Sequence, residues 1–157
     1  MEAESEMKTR LGIVLITIAL LPLFGCSDAG PKLGKVKGTV VLGGEPLEGA
    51  SVEFHPLFPE AKVAYSTAMT DEQGSFEMQY GIDQMGVLVG NHQVQITTRR
   101  SEKQADGSNK EIKERVPPWY FGPDAILEFD VQEGKNAAEF DLSKKKPKDW
   151  PPKLGSR

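Results

Sequence analysis

The sequence predicts an all-β domain, a seven-stranded antiparallel β-sandwich over residues 34–143. Three observations carry this expectation. Apolar and polar residues alternate with a period of two in one short segment after another, the spacing that turns one face of a strand to a core and the other to water. Clusters rich in Gly, Pro, Asp and Asn separate these segments, as turns between short strands require. No segment beyond residue 30 sustains a 3.6-residue apolar period, so little or no helix is expected there.

In the first strand Val36, Gly38, Val40 and Leu42 alternate with Lys37, Thr39 and Val41. Gly38 removes a side chain where a neighbour packs closely. Residues 43–49 (GGEPLEG) turn the chain, Pro46 fixing φ and Gly49 permitting a left-handed or bulged exit. Ala50, Val52 and Phe54 alternate with Ser51, Glu53 and His55 in the second strand, which runs into a loop around Pro56 and Pro59. Residues 62–70 read as the third strand, with Val63, Tyr65, Thr67 and Met69 on one face. Residues 71–74 (DEQG) form a turn in which Asp71 bonds its own backbone and Gly74 supplies φ > 0. Phe76, Met78 and Tyr80 mark the fourth strand, and His92, Val94, Ile96 and Thr98 the fifth. Leu127, Phe129 and Val131 mark the sixth, with Glu128, Asp130 and Gln132 facing out. After a turn at residues 133–136 (EGKN), Ala138, Phe140 and Leu142 close the series. A domain of roughly 110 residues is large enough to bury one core.

Composition excludes several chemistries. The chain has 157 residues, one cysteine, two histidines and a net charge of -4. One cysteine forms no intramolecular disulfide and no multi-thiolate zinc site. The charge is uneven: the last fifteen residues (SKKKPKDWPPKLGSR) hold six basic residues and one Asp, so residues 26–142 are strongly acidic. That domain carries no nucleic-acid footprint. Residues 144–157 read as a basic, Pro-rich tail, solvated or touching anionic head groups or wall polymers.

Residues 1–25 read as an address. Lys8 and Arg10 precede an apolar run of 14 residues, Leu11 to Phe24, interrupted by Pro22. A bilayer span needs about 20 apolar residues, so this length suits a signal-peptide core. The run ends in Leu23-Phe24-Gly25-Cys26, which resembles the lipobox of bacterial lipoproteins, with Phe24 at a position where that family usually has a small residue. The resemblance implies a diacylglycerol on the Cys26 sulfur, cleavage before Cys26, and a mature chain from Cys26 with a lipidated linker over residues 26–33. It implies a partner, the membrane, and a location outside the cytoplasm on the cell membrane or outer membrane; Ser27 after the cysteine leans to the outer one. Multiple acyl chains suffice for stable anchoring.

Three stretches of the predicted sandwich carry a second resemblance. They are residues 36–52 (VKGTV followed by PLEGASV), residues 70–76 (TDEQGSF) and residues 90–96 (GNHQVQI). In order and spacing they resemble the carboxypeptidase regulatory-like family, a transthyretin-like and thus immunoglobulin-like β-sandwich, with His92 standing where that family usually has an aromatic. The resemblance covers most of residues 34–142 and implies a fold more than an activity.

Candidate chemistry is sparse. Asp71 and Glu72 lack the spacing of a calcium loop. His55 and His92 have no nucleophile in a recognisable elbow beside them, so no catalytic residue, metal ligand or cofactor is assigned. The long connection from residue 99 to 124 begins polar and ends in Val116-Pro117-Pro118-Trp119-Tyr120-Phe121. Exposed, Trp119, Tyr120 and Phe121 would stack on a sugar ring or dock a protein partner; buried, they cap one end of the sandwich. The sequence therefore points to a non-enzymatic, membrane-anchored lipoprotein whose sandwich binds an envelope protein or polysaccharide, or serves as a structural module. The alternatives are a carbohydrate-binding module using the loop aromatics and an unrecognised small hydrolase.

Overall fold

A computed structural model describes residues 30–58 and 65–150 of the chain. The described residues form an all-β structure with no α-helix. They contain thirteen strands rather than the seven expected. In order these are β1 (Leu33–Leu42), β2 (Glu45–Pro46), β3 (Ser51–Pro56), β4 (Ser66–Met69), β5 (Ser75–Glu77), β6 (Gln79–Tyr80), β7 (Gln84–Met85), β8 (Val87–Leu88), β9 (Gly90–Thr97), β10 (Arg100–Lys103), β11 (Asn109–Ile112), β12 (Leu127–Val131) and β13 (Gly134–Leu142). The surplus has a physical origin. Four strands are two-residue ladders too short to show alternation, and β10 and β11 form a separate polar hairpin.

A five-stranded sheet is built on β1. Along one edge β1 pairs with β13 from Gly34 opposite Gly134 to Leu42 opposite Leu142. Along the other it meets β2, β5 and β8 in turn. The β1–β13 pairing is parallel, which corrects the expectation of a wholly antiparallel fold. Alternation reports which face is buried and carries no direction, and here the whole domain serves as the crossover that a parallel pair needs. A six-stranded antiparallel sheet runs β12-β9-β3-β4-β6-β7. The predicted fourth strand is divided between the two sheets. Phe76 in β5 pairs with β1, while β6 pairs with β4, and the fully buried Met78 marks the change.

Both sheets contribute to one apolar core. Val36, Val40, Ala138, Phe140 and Leu142 come from the first, and Val52, Phe54, Val94, Ile96 and Val131 from the second. Phe140 joins them: its ring lies 6.3 Å from Phe54, 6.4 Å from Phe129 and 6.2 Å from Phe76, the last stacked at 11°. The face expected for the third strand is inverted. Tyr65 and Met69 are exposed, whereas Ser66 is buried and Ala68 packs on the core; Val63 lies outside the described residues. Register explains the inversion. Ala68 pairs with Val52 and Ser66 with Phe54, so these small residues share the inward face of β4.

Gly38 sits between β13 and β5, opposite Ala138 and Phe76. A Cβ on Gly38 would fall 1.9 Å from the Ala138 carbonyl oxygen and 2.7 Å from Phe76 Cζ. Backbone cannot yield as a flexible side chain can, so Gly38→Ala is expected to destabilise the domain by about 2 kcal/mol or more. Gly30→Ala, with nothing within 4 Å of the added carbon, should be close to neutral. Urea unfolding of both variants checks this, and equal midpoints would contradict it.

Candidate functional site

The residues singled out by sequence separate into three groups. Cys26 lies outside the described residues. Asp71 is a turn residue: its Oδ1 accepts the Gln73 and Ser75 N–H groups at 3.0 and 2.8 Å, and its carbonyl accepts the Gly74 N–H. The loop aromatics are held inside. Trp119 and Tyr120 follow Pro117 into a 3-10 turn, Pro118–Tyr120, and both are buried in the core cluster, with Phe121 partly buried against it. This corrects the idea of an exposed stacking platform at Trp119 and Tyr120.

Several polar contacts explain why that loop is pinned. The Tyr120 hydroxyl accepts the Ser143 N–H at 2.9 Å, tying the loop to the end of β13. From β9, Gln93 donates to the carbonyls of Pro123 and Ala125 at 3.2 and 3.0 Å, and Gln95 accepts the Gly122 N–H at 2.9 Å. Trp150 packs edge-on against Trp119 at 5.9 Å and donates its indole N–H to the Asp124 carbonyl.

Glu114 fastens the base of the β10–β11 hairpin. Its carboxylate accepts hydrogen bonds from the Thr97 hydroxyl, the Thr98 N–H and hydroxyl (2.9 and 2.8 Å), and the N–H groups of Arg115 and Val116 (3.0 and 2.8 Å). Burial alone would raise its pKa, but these donors outweigh burial and hold it down at about 2.

The outer face of the six-stranded sheet is the candidate contact surface. The alternation that buries Val52 and Phe54 turns Glu53 and His55 outward. The His55 ring stacks on Tyr65, with centroids 5.3 Å apart and planes 20° apart. His55 Nε2 lies 2.9 Å from Glu53 Oε2. Thr67 and Gln95 flank Glu53 on either side, and Gln93 sits opposite His55. Tyr65 is 51% exposed, and Met69 and Met85 are exposed on β4 and β7. Sequence reasoning placed His55 on the polar face but missed its aromatic neighbour, because Tyr65 was assigned to a strand face without a sheet position. His92, by contrast, is buried; its Nδ1 lies 2.9 Å from the Gly90 carbonyl, and burial lowers its pKa. Among the described residues no group of three or more His, Cys, Asp or Glu could hold a metal ion.

No protein-family model matches the chain. No curated protein is similar to it. Among solved structures it is similar to a 9R-lipoxygenase from Cyanothece PCC8801, at 15% identity and a TM-score of 0.36, over 71% of this chain and 16% of that one. This chain thus spans a small part of that protein's length, and a likeness so slight carries no argument about activity.

Glu114 generates a pH prediction. A carboxylate depressed from 4.5 to about 2 stabilises the fold above its ordinary range, and that contribution fades as pH falls from 4.5 towards 2. Glu114 is partly open to solvent, so the full linkage value is reduced for screening. Glu114→Gln should then cost about 1–2 kcal/mol at neutral pH. Thermal melts across pH should show the difference between the wild type and the variant shrinking below pH 4.5. A pH-independent difference would refute the role assigned to the ionised group.

Proposed function

We propose that this protein is a lipid-anchored lipoprotein of the bacterial envelope, facing away from the cytoplasm, whose domain is a β-sandwich acting as a non-catalytic binding or structural module. The observation that carries this is the position of Cys26, directly behind an apolar run ending Leu23-Phe24-Gly25 and shortly ahead of β1. In support of a sandwich, two sheets share one core through Phe54 and Phe140. In support of a module that binds or spaces, the loop aromatics pack inward, while Tyr65, stacked on His55, is exposed on the outer side of the six-stranded sheet. Expressed in a bacterial host, the membrane fraction is expected to yield the intact mass of residues 26–157 plus lipid, while Cys26→Ser retains the unprocessed mass. An unmodified soluble product identical to the control would overturn the proposal.

One observation favours a second reading, a carbohydrate-binding module: the exposed Tyr65 ring stacked on His55, whose Nε2 lies beside the Glu53 carboxylate. It moves the sugar-contacting role from Trp119 and Tyr120 to the sheet. An aromatic face stacks on sugar C–H groups while a carboxylate bonds hydroxyls. Affinity electrophoresis in gels holding envelope polysaccharide should show retardation of the wild type and its loss in Tyr65→Ala. Equal mobility of the two, with and without polysaccharide, would dismiss this reading.

A further inference from the structure

We propose that the open edge of β13 is a self-association surface, pairing antiparallel with β13 of a second copy about a two-fold axis at Ala138. β13 is nine residues long and pairs with β1 on one side; no other strand among the described residues occupies its second side. The direction of its backbone groups can be read from the ladder. The Leu142 carbonyl accepts the Gly43 N–H at 3.0 Å, on the β1 side. Alternation along the strand then turns the N–H and C=O groups of Lys135, Ala137, Glu139 and Asp141 to the open edge. Such a row is a template for another strand unless charge or shape blocks it.

The charges on this strand do not block a second copy. Lys135, Glu139 and Asp141 are all exposed on the outer face. Register sets Lys135 beside Lys35, a like-charged neighbour, while Glu139 and Asp141 sit beside Thr39 and Val41. No ion pair reaches Lys135, Glu139 or Asp141 among the described residues; the pairs nearby are Lys32–Glu133 and Lys37–Glu77. Within one chain Lys135 and Asp141 lie about 20 Å apart along the strand and cannot meet. A two-fold axis at Ala138 places Lys135 of each copy opposite Asp141 of the other, and Ala137 opposite Glu139. Both pairs consist of residues whose backbone groups point to the shared edge, and they alternate with the non-hydrogen-bonded pairs Asn136–Phe140 and Ala138–Ala138, as an antiparallel ladder requires. An axis at Glu139 would set Glu139 against itself, and one at Ala137 would pair Lys135 with Glu139 but set Asp141 opposite Glu133. The surface is self-complementary, as a two-fold contact between identical chains must be.

Sedimentation velocity of the full chain in mild detergent, over a micromolar dilution series, tests this. The wild type is expected to dissociate from dimer to monomer across the series. Lys135→Asp sets Asp against Asp at both ends of the ladder, and Asp141→Lys sets Lys against Lys; each should weaken the dimer at least about tenfold. The double swap K135D/D141K restores opposite charges and should recover the wild-type constant. Ala137→Pro removes an outward N–H while leaving the β1 ladder intact, and should give monomer with an unchanged circular dichroism spectrum. The proposal is overturned by a wild type monomeric throughout, by single swaps without effect, or by folded double-swap protein that stays monomeric. Ala137→Pro supplies an independent test if the swaps fail to fold: a dimer that survives it overturns the proposal.

Discussion

The domain depends on one pairing, β1 with β13. These are its first and last strands, and they lie side by side in parallel from Gly34 and Gly134 to Leu42 and Leu142. A ladder between strands about a hundred residues apart is slow to form, because chain closure comes before any contact repays it. Once formed, it fixes much else. β1 is then a central strand, receiving β2, β5 and β8 along its other edge. β13 delivers Phe140, whose ring touches Phe54, Phe76 and Phe129 and so links the two sheets. Gly38 is the point of closest approach, where the Ala138 carbonyl occupies the space a side chain would take. The constraint is steric and local, yet it secures contacts drawn from the whole domain.

Much of this fold was legible in the sequence. Alternation located β1, β3, β9, β12 and β13 and most of the residues they bury, because each is long enough for its period to show. Three features were not legible, each for a physical reason. Strand direction leaves no mark on a two-residue period, so the parallel β1–β13 pair was invisible. Two-residue strands such as β2 and β8 exist only because the longer β1 offers them a ladder. The face of β4 was read from its larger residues, Tyr65 and Met69, whereas the inward places beside Val52 and Phe54 go to Ala68 and Ser66. Burial there follows from cross-strand register, a long-range property.

The site was less legible than the fold. Three consecutive aromatics beside prolines look the same whether they stand in water or in a core. What settles the matter for Trp119 and Tyr120 is a set of polar residues elsewhere. Gln93 and Gln95 grip the loop from β9, Ser143 donates to Tyr120, and Glu114 gathers the backbone where the hairpin rejoins the domain. Polar residues on the β9 face thus bond the backbone of a segment that would otherwise bury unsatisfied amides. The Tyr65–His55 contact escaped notice for the converse reason: its partners are ten residues apart and meet only through the β3–β4 pairing.

With the loop folded inward, the surfaces left for recognition are sheet faces and edges, and charge governs them. Parallel pairing has a consequence here that antiparallel pairing would lack. Residues near the starts of β1 and β13 lie together, so Lys35 and Lys135 add their charges at one end. Glu139 and Asp141 have Thr39 and Val41 beside them, so no basic residue offsets them within the ladder. An antiparallel arrangement would have brought basic and acidic ends into register and cancelled the field. The β1–β13 ladder instead carries lysines at one end and carboxylates at the other, with the open edge of β13 running between them. Such a polarised strand repels a parallel copy of itself and attracts an antiparallel one. The ladder that closes the domain therefore also shapes the charge pattern its free edge presents.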